Sequence, residues 1–354
     1  MILYLFNPST DMALAAGSVS YTPPAAIRRF EAGLALLLAL YAQEGSAILL
    51  PDGIADPSAL PDRSIAAKRH ISLIGAGTRL TQVSKVVPWG WNAALVRTLR
   101  SQGVPDSSLP GDLQLARLRT LSSRLLTTDC HAYLSARLSG KGLDRYCGLP
   151  PIAARTMTEI QAALDMHADC FAKAPWSSSG KGVMRIGHPL PDTDRRRLER
   201  ILRTQGAVMM EKAWDNAQDF ATEWMMQGGD VRFLGLSVFG CDTAGRYKGN
   251  IIAPQSGLRR RLASMTDLGA IDRLTAAQQE FLKKRVAPWY DGPAGIDMLV
   301  DQDGEINGCV EINLRHTMGY VALHIARHAP GCTIFEPGAP LYDDKNGFAG
   351  VTEN

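Results

Sequence analysis

Two apolar segments near the C-terminal end set the tightest limits on the fold: Ile296-Asp297-Met298-Leu299-Val300 and Cys309-Val310-Glu311-Ile312-Asn313. Between them lies Asp301-Gln302-Asp303-Gly304, residues that favour a tight reversal. The pair therefore reads as an antiparallel hairpin. Side chains alternate along a strand, so Glu311 and Asn313 share one face and Ile312 takes the other. The hairpin brings Asp297 alongside them. A carboxylate inside an apolar strand costs free energy unless something pairs with it. Two carboxylates and an amide oxygen are hard ligands, a set that suits magnesium carrying nucleotide phosphates rather than zinc. The alternative is a pair of edge-strand acids facing solvent.

Length and composition narrow the remainder. A chain of 354 residues is long enough for two domains, or three. With 45% hydrophobic and 21% charged residues it is an ordinary globular sequence, which excludes disorder, collagen and coiled coil. A net charge of +3 is too balanced for a dedicated nucleic-acid binder. No two of Cys130, Cys147, Cys170, Cys241, Cys309 and Cys332 form a CxxC pair, so they read as free thiols in a reducing compartment. The first residues, Met1 to Phe6, lack a basic leader and read as a strand. The most apolar run, Gly33 to Ala42, is shorter than the ~20 residues a bilayer span needs. The expected setting is cytoplasmic, with neither membrane nor nucleic acid as partner.

Strand and helix signals alternate at first. Ile2–Phe6, Ser46–Leu50, Ile71–Ile74 and Val86-Val87 read as strands, and Ala25 to Gln43 as a helix, which predicts an open βαβ-type sheet. The turn-rich stretch Ser101 to Asp112 marks a boundary, and a helical block runs from Leu113 to Leu138. Further strands are predicted at 170–174, 207–211, 221–226, 232–239, 294–300 and 306–313, with few helices among them. The expected class is α/β followed by α+β. Residues 1–112 form the first domain, 113–205 a helical lead-in and first nucleotide subdomain, 206–335 the subdomain with the metal site, and 336–354 a tail.

Two further motifs carry chemistry. Lys173-Ala174-Pro175-Trp176-Ser177-Ser178-Ser179-Gly180-Lys181-Gly182 is not a Walker loop, because Pro175 and Gly182 break that pattern. Small residues nevertheless let backbone N–H groups converge on an anion, three hydroxyls can donate, and Lys173 and Lys181 add charge. A flexible surface turn is the competing reading. In Val208-Met209-Met210-Glu211-Lys212, followed by Asp219-Phe220, acids end one strand and open the next, where they can meet an adenine edge and a ribose. Gly75-Ala76-Gly77-Thr78-Arg79-Leu80 lacks the third small residue of a dinucleotide fingerprint and reads as a turn. The segments Asn7 to Asp11, Tyr21 to Pro24 and Pro88 to Asn92 are candidate substrate loops at the ends of strands.

In this order, these motifs resemble the ATP-grasp superfamily, in its D-alanine–D-alanine ligase-like and carboxylate–amine ligase branches, over residues 113 to 320. The resemblance implies a pre-ATP-grasp-like N-terminal domain followed by a two-subdomain ATP-grasp fold. It implies ATP and Mg2+ as cofactors and small-molecule carboxylate and amine substrates. Lys173 and the loop Ser177, Ser178, Ser179, Gly180, Lys181 and Gly182 would hold phosphates. Glu211 and Lys212 would contact adenine, Asp219 the ribose, and Asp297, Glu311 and Asn313 the metal. The family's upstream nucleotide lysine has no counterpart here; only Arg117, Arg119 and Arg124 stand in that stretch. Gly295 replaces its arginine before the first metal acid, and Lys248 or Arg315 is the candidate substitute. The implied activity is ATP-dependent ligation through an acyl phosphate. An ATP-dependent kinase and a non-catalytic nucleotide-binding regulator are the alternatives.

Overall fold

A computed structural model describes residues 1–52, 54, 64–140, 143–177, 182–242, 247–327, 333–335 and 351–353. The chain divides into two compact units. The first comprises Met1–Arg119 with Ile251–Pro254 and Tyr320–Asn354; the second comprises Thr120–Asn250 and Gln255–Gly319.

The first unit is built on β1 (Ile2–Leu5), α1 (Thr10–Ala16), α2 (Ala25–Leu34), β2 (Ala47–Leu49), α3 (Ser64–Lys68), β3 (Ser72–Ile74), β4 (Lys85–Pro88), α4 (Ala93–Ser101) and α5 (Asp112–Leu121), the last of which runs into the second unit. Its four strands are all parallel, in the order β3-β2-β1-β4. Parallel strands need crossover connections and coverage on both faces. Leu3, Leu5, Ala47, Val86 and Leu99 accordingly lie in one buried cluster. The helix expected over Ala25–Gln43 ends at Leu34 and continues as a 3-10 segment, Ala35–Leu40. All six side chains of that segment are buried, so it has no solvated stripe. Loops at the carboxyl ends of β1 and β4 bind each other: Asn7 Nδ2 donates to Gly90 O at 2.7 Å, and Gly90 N–H returns to Asn7 Oδ1 at 3.3 Å. After β3, the Gly75 region forms a turn, with Thr78 Oγ1 donating to Gly75 O.

The second unit carries α6 (Leu125–Leu138), β5 (Ile152–Ala154), α7 (Met157–His167), β6 (Asp169–Lys173), β7 (Val183–Gly187), α8 (Asp192–Gln205) and β8 (Val208–Lys212). It continues through β9 (Gln218–Gln227), β10 (Asp230–Cys241), β11 (Tyr247–Ile252), α9 (Gln255–Ala263), α10 (Leu268–Arg285), β12 (Gly292–Val300), β13 (Ile306–Asn313) and the start of α11 (Met318–Ala326). Helices are thus more numerous than the sequence reading allowed. The α10 helix has Asp267 as N-cap, accepting from Gly269 and Ala270, and buries Ile271, Leu274, Phe281 and Leu282 on one stripe. The α7 helix starts at Thr156, which accepts from Glu159 N–H.

Two sheets organise this unit. The strands β5, β8, β6 and β7 form an antiparallel sheet in that order. Its apolar face packs on α7 and α8 through Ile160, Leu164, Leu198, Ala172 and Met210. The larger sheet has β13-β12-β9-β10-β11 as consecutive neighbours. The hairpin expected from the sequence is β12–β13. Gly295, Ile296 and Asp297 pair with Asn313, Ile312 and Glu311, while Leu299 and Val300 pair with Asn307 and Ile306. Gly308, Cys309 and Val310 therefore stand opposite Met298 alone, a bulge in β13.

Candidate functional site

The alternation of β12 and β13 puts Asp297, Glu311 and Asn313 together in the second unit. Asp297 is a direct cross-strand partner of Glu311. Asn313 Nδ2 donates to Asp297 Oδ2 at 3.0 Å, and Arg315 donates to Asn313 Oδ1 at 2.8 Å. The β12 strand lies between β9 and β13, so Asp297 is not an edge-strand acid facing solvent. Burial, and then the negative charge of Glu311, push the Asp297 carboxyl well above the usual carboxylate range. Two carboxylates beside an amide oxygen are a hard-oxygen set of the kind that a divalent cation takes. Among the described residues no group of three or more His, Cys, Asp or Glu side chains gathers as a metal cluster, so this set of two carboxylates and one amide is the candidate.

The smaller sheet supplies the cation. Lys173 ends β6, and its Nζ donates to Glu211 Oε2 on β8 at 2.6 Å. The other Glu211 oxygen, Oε1, is buried without a partner. A buried acceptor left unpaired costs about 1–3 kcal/mol, so this position suits an incoming donor. Lys212 is exposed, on the opposite side of the strand from Glu211. Asp219 opens β9, and burial pushes its carboxyl up to about 6 despite a hydrogen bond with Cys241 and the charge of Lys173.

The base of the serine loop is fixed by Ala174 N–H, which donates to Gly182 O at 2.8 Å. Gly182 has φ +81°, and a Cβ there would lie 3.0 Å from Ser177 Cβ. Glycine is thus required by conformation and by space. Ser178, Ser179, Gly180 and Lys181 lie outside the described residues, as does Cys332. Of the two substitute cations, Arg315 is at the site and Lys248 is an exposed residue of β11.

Sequence reasoning left Arg124 unresolved among three arginines. Arg119 Nε donates to Leu14 O in the first unit. Arg124 instead reaches Glu311 Oε1 at 2.8 Å, with further bonds to Ala174 O and Ser177 Oγ. Sequence reasoning missed Glu223 altogether. This acid of β9 is 1% exposed, accepts from Thr317 Oγ1 at 2.7 Å and Ser237 Oγ at 3.0 Å, and burial pushes its carboxyl up to about 7. Gly295 and Gly319 leave it room: a Cβ on either would approach its carboxylate to 3.2 and 2.0 Å. The signal was available, since Ala221-Thr222-Glu223-Trp224 places an acid in an apolar strand as the Asp297 segment does.

No family model and no curated protein matches the sequence. Solved structures do match. A biotin carboxylase–β-γ-ATP complex from Campylobacter jejuni aligns with TM-score 0.55 at 13% identity, over 92% of this chain and 67% of that one. The biotin carboxylase domain of the Hydrogenobacter thermophilus 2-oxoglutarate carboxylase, in complex with MgADP, ADP and bicarbonate, aligns with TM-score 0.50 at 12% identity, over 98% and 76%. Rhizobium etli pyruvate carboxylase aligns with TM-score 0.50 at 13% identity, over 92% of this chain and 27% of that one. The chain thus has the fold of these proteins. No described helix is long and apolar enough to cross a membrane.

Proposed function

We propose that the chain is an ATP-dependent ligase that activates a small-molecule carboxylate as an acyl phosphate for attack by an amine. The observation that carries this reading is the gathering of Asp297, Glu311, Asn313 and Arg315 at one end of a hairpin, in a chain that also pairs Lys173 with Glu211. The likeness in fold to proteins crystallised with ATP or MgADP supports it. In this reading residues 1–112 are a pre-ATP-grasp-like domain, 113–205 a helical lead-in and first ATP-grasp subdomain, and 206–335 the second subdomain, except that β8 (Val208–Lys212), which pairs within the smaller sheet, goes with the first.

The residues have separable tasks. Glu211 accepts from the adenine edge through its unpaired oxygen and Asp219 holds the ribose, whereas the Lys212 side chain, on the other side of β8, does not join Glu211 there. Lys173 exchanges Glu211 for phosphate oxygen, and the loop Ser177 to Gly182 covers the phosphates. Asp297, Glu311 and Asn313 would hold magnesium, which supplies charge neutralisation when bound. Arg315, or Lys248, faces the transferring group. The substrate carboxylate oxygen attacks the terminal phosphorus and ADP leaves; the amine then attacks the acyl carbon and phosphate leaves. The protein contributes position and fixed charge rather than a covalent intermediate of its own.

The test is incubation with ATP, magnesium and pooled carboxylates and amines, followed by mass spectrometry. Phosphate release that requires both a carboxylate and an amine, with a new amide, is the expected result. A stable phosphorylated product would indicate a kinase, and nucleotide binding without turnover a regulator; either overturns the ligase reading.

A further inference from the structure

Arg124 stands immediately before α6, and its side chain is 6% exposed. An arginine side chain stays protonated, so a full positive charge is held there. Its guanidinium serves three acceptors from two segments, the loop after β6 and β13. One terminal nitrogen donates to Ala174 O at 2.8 Å and Ser177 Oγ at 2.6 Å; the other lies 2.8 Å from Glu311 Oε1. Its Nε is buried and has no partner. One cation therefore ties the root of the serine loop to a candidate metal ligand, with a donor left over.

This arrangement sets two cations in competition. While Arg124 sits on Glu311, a divalent ion using the same carboxylate would meet a desolvated positive charge a few ångströms away, where screening by water is weak. The planar guanidinium has a better destination when a phosphate arrives, since phosphate offers several oxygens in a geometry that matches the fork and satisfies the unpaired Nε. We infer that Arg124 is a positioning residue that occupies Glu311 until nucleotide draws it away, so that metal binding at Asp297, Glu311 and Asn313 is conditional on nucleotide. The inference rests on the nucleotide reading of this site. Linkage makes the effect reciprocal: metal tightens nucleotide by the factor by which nucleotide tightens metal.

The experiment is a Mn2+ titration, with free ion read by electron paramagnetic resonance, on wild type and Arg124→Gln, each with and without ADP. Wild type is expected to bind Mn2+ about tenfold or more weakly without ADP than with it, within the usual range of coupling between sites. Arg124→Gln is expected to bind Mn2+ alone about tenfold more tightly than wild type, with the ADP effect correspondingly reduced. Equal Mn2+ affinities for the two proteins without ADP, with ADP binding intact, overturn the inference and leave the nucleotide reading standing. If neither protein binds ADP, the nucleotide reading fails and the inference fails with it. Should Arg124→Gln not fold, wild type alone decides: Mn2+ held as tightly without ADP as with it overturns the inference.

Discussion

Lys173 Nζ and Glu211 Oε2 lie 2.6 Å apart on adjacent strands, with both side chains almost nine-tenths buried. In register, Lys173 stands opposite Met209 and Glu211 opposite Phe171, so the pair closes diagonally across β6 and β8. Each charge is the other's counter-ion, so a ligand of Lys173 competes with Glu211 for its charge.

Lys173→Met leaves Glu211 buried without its cation. Removing one partner of a buried pair costs about 3–5 kcal/mol, whereas replacing both is often neutral. Urea unfolding should therefore show a loss of about 3 kcal/mol for Lys173→Met and recovery of most of it in the double variant with Glu211→Gln. ATP affinity should fall more than AMP affinity in both, because the proposed partner of Lys173 is phosphate. Equal loss for the two nucleotides would remove Lys173 from the phosphate site.

Asp297→Asn removes a charge that burial and the neighbouring Glu311 carboxylate already oppose, and Glu311→Gln takes the counter-ion from Arg124. Both should fold, and Asp297→Asn should be at least as stable as wild type. Magnesium-dependent ATP turnover should fall about 100-fold or more, the scale of losing one charge-stabilising group at a reacting centre. Steady-state phosphate release, beside a melting curve, reads both effects. Wild-type turnover in both variants would displace the metal assignment.

Glu223 makes a signed prediction about pH. Its folded pKa is about 7 against an ordinary 4.5, so between these values the folded state binds more protons than the unfolded state. Stability from this group is therefore full below pH 4.5 and declines as pH rises towards 7, by on the order of 3 kcal/mol at about 1.4 kcal/mol per unit. Asp219 and Asp297 slope the same way, so the difference between proteins is the measurement. The stability of Glu223→Gln relative to wild type should rise between pH 4.5 and 7 and level off above. Parallel curves would mean that folding leaves the Glu223 carboxyl at its ordinary pKa.

Gly319 has no room for a methyl group: a Cβ there would lie 2.0 Å from Glu223 Oε1 and 2.4 Å from Ser237 Oγ. Gly319→Ala should cost at least the ~1–3 kcal/mol typical of overpacking. Shortening the acid in the double variant with Glu223→Asp should return part of that loss. A single variant as stable as wild type by urea unfolding would show that the carboxylate moves freely.

What the sequence disclosed follows from range. The β12–β13 hairpin was legible because alternation and the Asp-Gln-Asp-Gly turn are local, and a charge among aliphatic residues stands out. The strand of Lys173 was legible for the same reason. By contrast β7, directly after the glycine-rich loop, was not read as a strand, and three-residue β5 is too short to show a period. The α10 helix was readable from its Asp267 cap and its apolar stripe, yet was passed over for the strands around it. Arg124 reaches Glu311 only through the fold, and nothing in the spacing of three arginines tells which one turns inward. Glu223 was legible as an acid in an apolar strand and was passed over; what the sequence could not show is that two glycines and two hydroxyls, collected by the fold, surround it.

The bulge opposite Met298 has a consequence for how this hairpin can change in length. Deleting one residue from Gly308–Val310 would invert the parity of everything that follows, carrying Glu311 and Asn313 to the other face and turning Ile312 towards Asp297. Deleting two would remove the bulge, leaving one residue opposite Met298, and keep both oxygen ligands on their present side. Insertions and deletions here are thus counted modulo two: an odd change erases the site while leaving an equally apolar strand, and an even change preserves it.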